Sequence, residues 1–166
     1  MKALKIIAIC LIASISLTGF ASAQTSPKGL EVPIESAAVK FVSDVKDGGY
    51  KIVDTAGLKK WLDEGKKIII ISTLPVSDDK ALGKLPSALN AMMPKTEPEL
   101  APADKDNLLK VAGSDKEKTI VIYCGFLGCR RSHIGAKILV DGGFKDVYRY
   151  PAGIIGWKEM GYPVEK

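Results

Sequence analysis

Two runs dominate the hydrophobic pattern of this chain: Lys67-Ile68-Ile69-Ile70-Ile71-Ser72 and Thr119-Ile120-Val121-Ile122-Tyr123. Both are short, β-branched and nearly continuous, which predicts strands buried on both faces. Asp146 to Tyr150 reads as a third strand. Helical spacing lies between them. Thr55 is placed to cap a helix that presents Leu58, Trp61 and Leu62 on one face and stops near Gly65. Asp104 to Val111 turns Leu108, Leu109 and Val111 inward and ends at Gly113, and Ser132 to Val140 does the same with Ile134, Ile138 and Leu139 before Gly142-Gly143. Ile154 to Met160 predicts a final short helix. The segment from Pro75 to Pro102 carries Pro86, Pro94 and Pro98 as well and reads as irregular, with one short strand near Ala88–Asn90. Strands alternating with helices predict an α/β fold with a parallel-dominated sheet covered on both faces. In such sheets ligands bind beyond the carboxyl ends of the strands, and Cys124 follows directly on one of them.

The amino terminus stands apart. Lys2 and Lys5 precede an apolar run from Ile6 to Leu17, and Ala21-Ser22-Ala23 supplies a small-residue cleavage site. Residues 1–23 are therefore expected to be a signal peptide, residues 24–36 a polar arm, and residues 37–166 a single domain. Export implies a periplasmic or secreted protein with no membrane attachment after cleavage. The full chain has a formal net charge of +5. Its lysines (Lys59, Lys60, Lys66, Lys67, Lys116, Lys118) are dispersed among acidic residues, as on a solvated surface, so nucleic acid is not expected as a partner.

Cleavage removes Cys10, which leaves Cys124 and Cys129 in one loop of an exported protein. A disulfide there would close only a tiny loop and so add little stability by chain entropy, which favours reactive chemistry. The loop Gly125, Phe126, Leu127, Gly128, Cys129, Arg130 and Arg131 is the candidate binding element. Its glycines let backbone N–H groups converge on an anion, and a thiolate at Cys124 is stabilised by those amides, by the following helix N-terminus and by guanidinium charge. Arg130 and Arg131 suit an anionic donor, and Phe126 either lines the entrance or folds back onto the core. Cys129 has three readings: a thiol that resolves a persulfide on Cys124, a disulfide partner, or a small loop filler. His133 is the only histidine. Hydrogen bonding at the helix start is its expected role, and no metal site or cofactor motif is expected.

The segment Ile120-Val121-Ile122-Tyr123-Cys124, followed by Arg131-Ser132 opening a helix, resembles the active-site region of rhodanese-like domains. So do Gly143-Phe144, Val147-Tyr148-Arg149-Tyr150, Ala152-Gly153-Ile154, Trp157 and Gly161-Tyr162-Pro163-Val164. Upstream, Gly83-Lys84-Leu85-Pro86-Ser87-Ala88-Leu89-Asn90 is similar to that family's Gly-His-Ile-Pro-Gly-Ala-Ile-Asn segment. The resemblance implies a three-layer α/β/α fold with a mainly parallel five-stranded sheet. It also implies an enzyme, a sulfurtransferase in which Cys124 moves sulfane sulfur as a persulfide from a small sulfur-containing anion, such as thiosulfate or polysulfide, to a thiophilic acceptor or protein partner. Three departures matter. If Arg131-Ser132 is the family's Arg-Ser pair, the loop is two residues longer than the usual cysteine, four residues and arginine, a length that suits a larger tetrahedral oxyanion. Ser72-Thr73-Leu74 stands where an Asp-x-Arg is common, so a supporting ion pair is expected to be missing. Lys84 replaces a histidine. The alternatives are a thiol–disulfide redox protein using Cys124 and Cys129 with a redox partner, a non-catalytic anion- or partner-binding module, and an oxyanion reductase or phosphatase.

Overall fold

Five parallel strands form the centre of the molecule, in the order β1 (Lys51–Ile52), β5 (Asp146–Tyr150), β4 (Thr119–Tyr123), β2 (Ile68–Ser72), β3 (Leu89–Asn90). This architecture is seen in a computed structural model, which describes residues 30–166. The expected signal peptide, and the arm up to residue 29, lie outside the described residues. All strand pairs are parallel, and the apolar runs of β2 and β4 are aligned along their whole length, from Ile68 beside Thr119 to Ser72 beside Tyr123.

Side chains alternate across these strands, so each strand feeds two cores. Ile71, Ile120, Ile122 and Val147 pack with α1 (Glu31–Gly48), α4 (Pro102–Ala112) and α5 (Arg131–Asp141) through Val45, Leu108, Ala112, Ile134 and Leu139. Ile70, Val121, Tyr123 and Tyr150 pack with α2 (Thr55–Asp63), α3 (Val76–Leu82) and α6 (Gly153–Glu159) through Leu58, Leu82, Ile154 and Trp157. The expected three-layer α/β/α arrangement is therefore present, with a sheet that is wholly parallel.

Several local expectations are corrected. Residues 31–36, expected to be part of a polar arm, are helical and open α1. Pro33 falls in the first turn, where its missing N–H has no intrahelical partner to lose. The pattern hides this helix because Val32, Val39 and Val42 are exposed while Asp44 is buried. The cap of α2 is Asp54, whose Oδ1 accepts the Gly57 N–H at 2.7 Å, and Thr55 is the first helical residue. α3 occupies part of the proline-rich segment, starting directly after Pro75 with Asp78 and Asp79 in its first turn, where carboxylates are favourable. β1 has two exposed residues and so leaves no apolar signature. The expected short strand is present as β3. Among the described residues, no helix is long and apolar enough to cross a membrane.

Candidate active site

Cys124 sits where β4 ends, and its side chain is 1% exposed. Its carbonyl accepts the Ile154 N–H at 3.0 Å, and the Gly125 carbonyl accepts the Ile155 N–H at 3.0 Å. The start of α6 thus grips the start of the loop. Gly153 makes this approach possible. Its φ is +62°, and a Cβ there would lie 2.3 Å from the Cys124 carbonyl oxygen. In a trans peptide the carbonyl and the next N–H point in opposite directions. The two bonds from α6 therefore turn the Gly125 and Phe126 N–H groups away from that helix. Cys129 N–H donates to the Phe126 carbonyl at 3.0 Å, closing a tight turn at the loop tip. Among the described residues, the N–H groups of Gly125, Phe126, Leu127 and Gly128 meet no protein acceptor. They are free to serve an anion.

The Cys124 and Cys129 sulfurs are bonded to each other. The structure thus holds the oxidised pair, a bond that a resolving thiol and a disulfide partner would both form. A cleft of about 490 Å³ opens above, lined by Gly125, Phe126, Gly128, Cys129, Arg130 and Arg131 from the loop and by Leu74, Asp78 and Lys95 opposite. Cys129 lines this cleft, whereas Cys124 is buried and does not. Phe126 is 60% exposed and lines the entrance rather than returning to the core. Leu127 is placed elsewhere, in a smaller recess with Phe41 and Asp44 of α1.

The two expected anion-binding arginines are already engaged. Arg130 donates to Asp44 Oδ1 at 2.7 Å and also to Glu97. Arg131 donates to the Met93 carbonyl. Burial works against the Asp44 charge, but Lys40, His133 and Arg130 outweigh it and hold the carboxyl below the usual carboxylate range. Glu97 is likewise lowered, with Arg130 overcoming partial burial. His133 is buried, and its Nδ1 lies 3.0 Å from the Tyr50 hydroxyl. Burial pushes the imidazole below its ordinary pKa, against the pull of Asp44.

The residue missed by sequence reasoning is Arg149. It is 1% exposed. Its Nε donates to Ser132 Oγ at 3.0 Å, its Nη1 to Tyr50 Oη at 3.3 Å, and its Nη2 to the carbonyls of Leu127 (3.1 Å) and Cys129 (3.0 Å). Asp44 Oδ2 lies 3.8 Å away, and the Phe41 ring centroid is 5.3 Å from its Cζ. A signal was present: the period of two in β5 puts Arg149 on the same face as Val147, a core residue, and a charge at a core position calls for a local reason. Ser72 stands where an ion pair is common in the family, and its Oγ is held by hydrogen bonding. It joins a hydrogen-bond network around the Asp79 carboxylate. Ser72 Oγ donates to Asp79 Oδ1 at 2.7 Å, and Asn90 Nδ2 donates to Asp79 Oδ2 at 2.6 Å and to the Leu74 carbonyl at 2.9 Å. Lys84 turns to the Ala88 carbonyl at 2.9 Å. Among the described residues no cluster of three or more His, Cys, Asp and Glu side chains could hold a metal ion.

A cysteine at a strand's carboxyl end, under a loop of free amides in a parallel α/β sheet, is an arrangement able to stabilise a thiolate or hold an anion. The model of the rhodanese-like domain matches residues 40–160, and the chain belongs to that family. No curated protein matches it in sequence. Among solved structures, it is similar to the polysulfide-sulfur transferase homodimer of Wolinella succinogenes, with 23% identity, a TM-score of 0.55, and 82% of this chain and 90% of that one covered. It is also similar to a thiosulfate sulfurtransferase of Pseudomonas aeruginosa, at 20% identity and a TM-score of 0.58, with 78% of this chain and 22% of that chain covered. A possible tyrosine phosphatase of Rhodopseudomonas palustris, itself of unknown function, matches at 20% identity and a TM-score of 0.52 over 86% of this chain and 98% of that one. At these identities the likeness is one of fold.

Proposed function

We propose that this chain is an exported sulfurtransferase whose reduced Cys124 carries sulfane sulfur. The observation that carries the reading is the loop over Cys124, whose carbonyls are fixed by the scaffold while the N–H groups of Gly125 to Gly128 remain free. Such a cradle stabilises both a thiolate and the terminal sulfur of a persulfide. With thiosulfate, the Cys124 thiolate attacks the outer sulfur and the sulfur–sulfur bond of the donor breaks. Sulfite leaves with the electron pair, and Cys124 becomes a persulfide anion. An acceptor thiolate, on a small molecule or a partner protein, then attacks the terminal sulfur and releases the Cys124 thiolate. The disulfide must first be opened by two electrons from an external thiol reductant.

The test is mass spectrometry of the reduced protein after thiosulfate or polysulfide treatment. The expected result is an added sulfur atom on Cys124 that is absent in Cys124→Ser. No adduct with either donor would sink the reading. The bond between Cys124 and Cys129 favours a second reading, thiol–disulfide exchange. Cys129→Ser separates the two: sulfur loading survives that substitution, whereas disulfide cycling is lost.

A further inference from the structure

Arg149 is a large buried cation that the proposed chemistry does not use. It stands behind the loop, on the side away from α6. Its Nη2 holds the carbonyls of Leu127 and Cys129, and its Nε is fixed by Ser132 Oγ in the first turn of α5. Every peptide bond among the described residues is trans. A carbonyl drawn toward the guanidinium therefore turns the following N–H away from it. The two groups turned in this way are Gly128 N–H and Arg130 N–H, and both residues line the cleft.

We propose that Arg149 is a positioning residue for the Cys124 loop, setting the Leu127–Gly128 and Cys129–Arg130 peptides so that their N–H groups serve the reacting sulfur. The inference rests on the reading of Cys124 as the nucleophile. Arginine suits the task because its planar fork holds several acceptors at once, whereas a lysine offers one compact ammonium. The fork is itself braced. Tyr50 Oη accepts from Arg149 Nη1 and lies 3.0 Å from His133 Nδ1, so the hydroxyl is held between the two buried side chains. Asp44 of α1 supplies the counter-charge at 3.8 Å, and the Phe41 ring covers the guanidinium. The other charged groups around the cleft are Asp78, Lys95, Arg130 and Arg131.

The experiment is the pH–rate profile of Cys124 alkylation by iodoacetamide, in reduced protein with Cys129→Ser as the background, because the Cys129 contact to Arg149 uses only the backbone carbonyl. Arg149→Met is expected to raise the profile's midpoint by about one pH unit and to slow alkylation about tenfold at neutral pH. Arg149→Lys keeps the charge and loses the fork, so its midpoint should also lie above that of the background. A folded Arg149→Met protein with an unmoved midpoint would overturn the proposal. So would full restoration by Arg149→Lys, since charge alone would then suffice. If neither variant folds, Ser132→Ala decides: a rise in midpoint with about a threefold slowing supports the positioning role, and an unchanged profile overturns it. Alkylation reads the thiolate rather than the transfer. A wild-type protein that takes up no sulfur would end the sulfurtransferase reading without touching this one.

Discussion

The loop over Cys124 is held by different means at its two ends. At its start, Cys124 and Gly125 hang from backbone N–H groups of α6, an approach that requires Gly153. At its far end, the Leu127 and Cys129 carbonyls hang from one buried side chain, which depends in turn on Ser132, Tyr50 and Asp44. The first attachment carries no titratable group. The second is a chain of polar and charged groups drawn from α1, α5 and β5, and each is a point at which the loop can be loosened.

The largest expected effect is at the backbone end. Gly153→Ala forces a Cβ to within 2.3 Å of the Cys124 carbonyl oxygen at a φ of +62°. A loss of about 3 kcal/mol or more in urea-unfolding stability is expected, with Cys124 reactivity lost as well. A variant as stable and reactive as wild type would show that the α6 attachment is dispensable. Tyr50→Phe comes next, at the side-chain end. It keeps the ring but removes the hydroxyl between Arg149 and His133, leaving two buried polar groups short of a partner. A loss of about 1–2 kcal/mol is expected by the same measurement.

A pH effect follows from His133. Its pKa is lowered in the folded state, chiefly by burial. The unfolded chain therefore binds the proton more readily, and the stability this contributes is present above the ordinary histidine pKa of about 6.5 and is lost as pH falls toward the lowered folded value. Wild type should lose urea resistance over that range more steeply than His133→Gln, and parallel curves would exclude the effect. The smallest expected change is that of Phe126→Ala. This exposed loop-tip ring should be worth no more than about 0.5 kcal/mol to folding. A measurable change in the rate at which acceptor thiols unload Cys124 would show that the ring acts at the entrance.

β2 and β4 were legible because they are apolar on both faces. Thr119–Tyr123 and Asp146–Tyr150 agree with the sequence reading residue for residue. The elements that escaped have few buried apolar side chains. α1 buries Asp44 and Gly48 while exposing valines, β1 buries neither of its residues, and α3 starts beside a proline. The site divides in the same way. Cys124 and its glycines were legible because local order along the chain makes the loop. The period of two in β5 marks Arg149 as a buried charge but names no partner for it, and its meeting with Tyr50 and Asp44 is a tertiary contact, with Tyr50 and Arg149 lying 99 residues apart along the chain. The arginines expected to face an anion turned instead to carboxylates and a carbonyl, acceptors that no spacing in the loop announces.

The placement of the two sulfurs gives the pair a direction. Cys129 borders the open cleft, and Cys124 is buried at 1% exposure. If the pair exchanges with an external thiol, as the second reading holds, the mixed disulfide would form at Cys129, which lines the cleft, and Cys124 would leave as the thiolate beside the free amides of its own loop.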